Sequence, residues 1–257
     1  MILLLKLTLV PVFVACIAVV GRHWGAKVAG LLSGFPVIAG PIVYFIYLDQ
    51  GAKFAQAAAA STVVGVVPLS SFCFVYAWSA SRLSWCWALA ASLLVYGVLA
   101  VWLVKLALSL LAAAALALLV LLLQIFLSPK HGHLTGLTSA SNSEVVIRMF
   151  CAACLVLLVT CSAKTLGAGY SGVLAAFPIA STVIAVFSHK NHSAFHAMDS
   201  LRALKFGLLS LLMFFFILAL LANYLDFTLA FLAAIPAAFA IQLFIRLIKG
   251  LLIGKRI

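Results

Sequence analysis

Apolar residues in this chain neither alternate as in a half-buried strand nor trace the narrow stripe of a surface helix. They run on for about twenty positions at a time, broken by a charge, a Gly or a Pro. A run of roughly 20 apolar residues is what a helix needs to cross about 30 Å of hydrocarbon. The pattern predicts spans at 1–20, 28–48, 58–78, 84–104, 106–127, 144–163, 169–188, 203–223 and 227–252. The stretch 84–127 has no Gly or Pro near its middle, and as one helix it would measure roughly 66 Å. It therefore has to fold back, and the charge at Lys105 marks the place.

Composition narrows the class. Of 257 residues, 67% are hydrophobic and 8% charged, which excludes a water-soluble globule. Sixteen Lys and Arg against four Asp and Glu give +12. On a soluble chain that excess would suggest nucleic acid; here the basic residues are scattered between apolar runs, so no nucleic-acid partner is expected and the bilayer is the partner. Sorting them by loop puts twelve on one side (Arg22, Lys27, Arg82, Lys130, Arg148, Lys190, Arg202, Lys205, Arg246, Lys249, Lys255 and Arg256) and four on the other (Lys6, Lys53, Lys105 and Lys164). Cytoplasmic loops are the richer in Lys and Arg, which predicts an outer N-terminus and a cytoplasmic C-terminus in a bacterial inner membrane. Residues 1–20 read as a first span rather than a cleaved signal, because nothing soluble follows. Cys16, Cys73, Cys86, Cys151, Cys154 and Cys161 all fall in apolar runs and read as small packing residues.

An internal repeat organises these spans. A shift of 142 residues pairs Gly21–Pro36 with Ala163–Pro178, with Gly25, Ala26, Gly30, Leu32, Phe35 and Pro36 matched by identical residues at 167, 168, 172, 174, 177 and 178. The same register pairs Lys6 with Arg148, Arg22 with Lys164, Gly65 with Gly207, Phe72 with Phe214 and Phe74 with Phe216. Spans one to four match spans six to nine, and an odd fifth span between them inverts the second copy. The expectation is an all-α membrane protein of about nine transmembrane helices in a 4+1+4 inverted-topology repeat with broken helices. Residues 1–104 form the first repeat, 105–142 the linker helix and a cytoplasmic loop, and 143–257 the second repeat.

Each half resembles a four-span protein of the GlpM-like inner-membrane family. The resemblance rests on a basic residue near the sixth position of the first span (Lys6, Arg148), another at its far end (Arg22, Lys164), and A/S-G-L/V-L-x-x-F-P in the second span. It covers about 1–104 and 143–250 and implies an architecture, two such units fused head to tail in opposite orientations, rather than a reaction.

Candidate chemistry gathers where the repeat breaks its own helices. Gly34, Phe35, Pro36, Gly40 and Pro41 crowd span two, and Phe177, Pro178, Ser181 and Thr182 occupy the matching place in span seven. Proline removes a backbone donor and crowds the preceding turn, so both helices should be kinked or broken. Paired breaks in the two halves of an inverted repeat point to a transporter site near the bilayer midplane; the alternative is that Pro and Gly there only shape packing. With the N-terminus outside, Lys6 and Lys164 form an outer basic pair and Arg22 and Arg148 an inner one, fitted to an anion or serving as interfacial anchors. His189, His192, His196 and Asp199, spaced 3, 4 and 3, would share a helical face able to hold a divalent metal or form the polar stripe of an interfacial helix. No intramembrane Ser-His, paired Asp or His-Glu-x-x-His set is present, and no cofactor motif appears, so neither an enzyme nor a cofactor is expected. The function expected is transport of an anionic small molecule or translocation of a lipid headgroup. The alternative is a non-transporting accessory subunit that packs against a partner complex through small-residue faces.

Overall fold

The computed structural model describes residues 36–128, 142–191 and 193–254, with isolated helical positions at 8, 11, 12, 15 and 16. The described chain is all helical: α1 Ala39–Gln50, α2 Ala52–Ser79, α3 Trp85–Lys105, α4 Leu110–Leu127, α5 Asn142–Ala175, α6 Ile179–Asn191, α7 Ala194–Leu221 and α8 Phe227–Gly254. Six of these eight, α2, α3, α4, α5, α7 and α8, are long and apolar enough to cross a membrane. They do not map one to one onto nine uninterrupted spans. Predicted span seven appears instead as an interrupted helix whose second piece is α6, 13 residues long, and the described part of predicted span two is α1, 12 residues long.

The fold-back at Lys105 forms as the length argument requires. Helix α3 ends at Lys105, Ala107 takes a positive φ of 44°, and α4 restarts where the Ser109 side chain accepts a hydrogen bond from the Ala112 N–H. The boundary expected between spans six and seven, near Lys164, is different. Helical structure runs on through it and breaks at Gly167, whose φ of 75° and ψ of 166° are open essentially to glycine alone.

Helices α2 and α7 are the core. Their most apolar stretches are 78% and 61% buried, against 28%, 22% and 22% for α3, α4 and α8, whose outward faces of Leu, Val, Phe and Trp are the lipid-facing surface. The two core helices pack against each other. Gln56, near the start of α2, reaches the Ala219 carbonyl near the end of α7, while Phe74, near the end of α2, lies under Lys205; the pair is antiparallel. Each core helix carries its own neighbours, α1 and α3 on α2, and α6 and α8 on α7, and α4 packs on both. Helix ends repeat with the offset read from the sequence. Both ends of α2 and α7, and the starts of α3 and α8, stand 142 residues apart.

Candidate functional site

The second break is built in detail. Helix α5 stops at Ala175, residues 176–178 turn, and α6 begins at Ile179. Pro178 cannot donate a backbone hydrogen bond, so a continuous helix would lose a rung here. A helix that stops inside a membrane leaves its last carbonyls without partners, a cost that hydrocarbon does not relieve. Side chains and the turn itself supply those partners. The Thr62 hydroxyl donates to the Gly172 carbonyl at 2.9 Å, the Tyr96 hydroxyl to the Val173 carbonyl at 3.0 Å, and the Phe177 N–H to the Leu174 carbonyl at 2.9 Å. Tyr96 also sets its ring edge-on to Phe177, centroids 5.2 Å apart.

Contacts follow α2 in order. Gly172 lies against the Ala58 carbonyl and Ser61, Val173 and Ala176 lie against Gly65, Ser181 meets the Cys73 thiol, and His189 reaches the Tyr76 hydroxyl at 3.4 Å. The end of α5 therefore packs along α2 and the chain turns beside Gly65, after which α6 packs on α7 and reaches α2 through the side chains of Ser181 and His189. Gly172 approaches so closely that a β-carbon there would collide with the α2 backbone.

At the matching place in the first half Pro36 is buried, residues 36–38 are not helical, and α1 starts at Ala39. Tyr44 packs on Phe231 and Tyr47 stacks on Phe227 of α8 at 4.7 Å. A cavity of about 390 Å³ opens here between α1, α7 and α8, bounded by Pro36, Pro41, Tyr44, Phe214, Thr228 and Phe231. Its walls are almost wholly apolar apart from the hydroxyls of Tyr44 and Thr228, which stand 3.5 Å apart.

A polar cluster lies at the other end of α2. Lys205, the twelfth residue of α7, is completely buried. Its ammonium donates to the Ser128 hydroxyl at 2.7 Å and sits 4.8 Å from the centre of the Phe74 ring. Cys73, which meets Ser181 in the third position of α6, is within electrostatic reach of the same ammonium. Gln124, one turn before Ser128, donates from Nε2 to Ser71 at 3.0 Å, and its buried Oε1 has no partner among the described residues. The Thr182 hydroxyl in the first turn of α6 is also buried without a partner among the described residues.

The expected site residues divide accordingly. Phe177, Pro178, Ser181 and Thr182 lie at the break between α5 and α6, with Ser181 facing Cys73 of α2 and the Thr182 hydroxyl buried, and Pro36 lies just before α1. Lys164 is exposed on α5. Lys6, Arg22, Gly34 and Phe35 lie outside the described residues, as does the side chain of Arg148, so the basic pairs have no described geometry. The proposed metal stripe is divided between two helices. His189 ends α6 and faces Tyr76, Ser193 is extended, and His196 begins α7 bound to the Ser193 hydroxyl at 3.0 Å. His192 lies outside the described residues; among those described, no three metal-ligating side chains gather.

Lys205 is the residue that sequence reasoning misplaced. Counted as a cytoplasmic loop charge, it sits roughly 16 Å inside a helix, which leaves eleven orientation charges against four. The readable signal was the repeat register together with Ser193 as a helix cap, which together start α7 at Ala194 rather than at 203. Comparison of the chain with family models, with curated proteins and with solved structures gives no match.

Proposed function

We propose that this chain is a polytopic membrane transporter, or a lipid-headgroup translocator, for an anionic small molecule. The observation that carries the reading is the interrupted helix at 176–178. It lies against the middle of α2 with its carbonyls capped by side chains and the first turn of α6 turned toward buried polar groups. Half-helices that end inside a membrane present free amides and a positive dipole end, which suits an anion. The antiparallel core helices, with ends at a constant offset, support a 4+1+4 inverted repeat whose two-fold axis lies in the membrane plane. The resemblance of each half to a GlpM-like unit belongs to this reading, as do the bacterial inner membrane, the outer N-terminus and the cytoplasmic C-terminus.

The test is two-sided accessibility. A Ser181→Cys variant, in a version whose six native cysteines are replaced by alanine, is reconstituted in vesicles and treated with a membrane-impermeant maleimide from either side. Alternating access predicts labelling from both sides. Labelling from neither side would mean a sealed seam and favour the accessory-subunit reading.

A further inference from the structure

We propose that Lys205 is the residue that binds the anion, and that its ligand carries a single anionic oxygen group, a carboxylate or a phosphate, which supplies the missing counter-charge. The inference deepens the transport reading and rests on it for its biological sense, though not for its test.

Four carboxylate side chains exist in the whole sequence, and all lie elsewhere. Asp49 is in the last turn of α1, Glu144 in the first turn of α5, Asp199 six residues before Lys205 on α7, and Asp226 at the start of α8, where it accepts from the Thr228 N–H. Among the described residues none lies against the buried ammonium. A lysine ammonium has three donors, and one hydroxyl and one aromatic ring are the partners Lys205 shows. Burying a charge without its opposite is costly, so a protein that needed only packing at this position would do better with an apolar side chain. The chain shows this itself. The position 142 residues earlier, also the twelfth of its helix and also fully buried, is Val63.

What surrounds Lys205 suits an anion. Ser128, Ser71 and the Gln124 amide come from α2 and α4, Ser181 and Cys73 face one another beside it, and the first turn of α6 adds the positive end of a helix 13 residues long. Arg202, one turn earlier on α7, adds a second cation within electrostatic reach. The neighbouring surface is shaped for a chain. A cavity of about 800 Å³ lies between α4, α7 and α8, and its wall includes Phe206 and Leu209, one and four residues after Lys205, and Ile125 and Phe126, three and two residues before Ser128. The anionic group therefore has two possible bearers, a free solute or the head of a membrane amphiphile.

The experiment measures thermal unfolding of the full-length protein in phosphatidylcholine nanodiscs at constant ionic strength. Three arms add inorganic phosphate, add acetate, or replace part of the lipid with phosphatidylglycerol. The wild-type protein should show a saturable rise in Tm, roughly 5 to 10 °C at a hundredfold excess over Kd. A response to phosphate or acetate identifies a solute, and a response to phosphatidylglycerol alone a lipid headgroup. Lys205→Met should abolish the rise while the unliganded variant melts no lower than wild type, because an uncompensated charge has been removed. Lys205→Gln keeps a donor for Ser128 and separates the roles: it should also lose the anion response, whereas a merely structural lysine would let glutamine behave as wild type.

Absence of a rise in the wild type for all three arms overturns the proposal. So does a rise that survives Lys205→Met or Lys205→Gln, or an unliganded Lys205→Met protein that melts well below wild type or does not fold. Failure of the transport reading looks different: the anion stabilises through Lys205, yet Ser181→Cys is labelled from neither side.

Discussion

Helices α2 and α7 have the same length, stand at the same offset in both ends, lie antiparallel at the centre and are both largely buried. They differ at their twelfth residue, where one carries Val63 and the other Lys205. A valine at the first position shows that the core is satisfied by an apolar side chain there. The lysine is therefore an addition to the fold rather than a requirement of it. The same asymmetry appears beside Pro36 and Pro178. Beside the first lies an apolar cavity, while around the second hydroxyls, a thiol and an ammonium converge. Two core helices of one length and one offset thus carry different chemistry.

Giving α2 what α7 has is the strongest way to break this comparison. Val63→Lys places a charge on α2, where the register supplies Phe216 in place of Phe74 but no counterpart of Ser128, and it should cost on the order of several kcal/mol, read as loss of folded protein in thermal unfolding. A Val63→Lys protein as stable as wild type would mean that any buried position here tolerates an ammonium, and Lys205 would lose its distinction.

Next in size is Gly172→Val. The new side chain would press on the Ala58 carbonyl and Ser61, backbone and near-backbone atoms that cannot swing away, so about 3 kcal/mol of destabilisation is expected. Gly167→Ala forces a β-carbon into a conformation held for glycine and should cost roughly 1 to 3 kcal/mol. The Gly25→Ala counterpart sharpens the repeat: an equal cost would extend the kink to the first half, and no cost would confine it to the second. Smallest is Tyr96→Phe, which removes the hydroxyl from the Val173 carbonyl but leaves the Ala176 N–H on it, for about 1 kcal/mol. All four are measured by thermal unfolding of the solubilised protein.

Apolar run length was enough to place the helical class, the fold-back at Lys105 and the break at Phe177–Pro178, because each follows from one dominant cost: hydrocarbon thickness or a missing amide. Where two weak signals competed, the sequence misled. The starts of α2 and α7 were read at 58 and 203, because Lys53 and Gln56 in one and His196, Asp199 and Arg202 in the other look like loop residues. The helices begin earlier, at Ala52 and Ala194, and carry those polar groups within their first three turns. That error of nine residues turned Lys205 from an intramembrane cation into an orientation charge. It also merged His189 and His196 into one stripe, when Ser193 divides them. The partners of the broken helix, Thr62 and Tyr96, come from residues 110 and 77 positions away, a distance over which no local pattern reports.

The last turn of α4 touches both halves, through Gln124 to Ser71 on α2 and through Ser128 to Lys205 on α7. Synthesis runs from the N-terminus, so α4 is made before α7 and can already be docked on α2 when α7 emerges. A lysine near the centre of an emerging helix carries a penalty of about 2.5 to 3.5 kcal/mol at membrane insertion. Here the hydroxyl and the ring that receive it belong to helices translated earlier, so the order in which the ribosome delivers the segments is itself part of how this charge comes to lie inside a membrane protein.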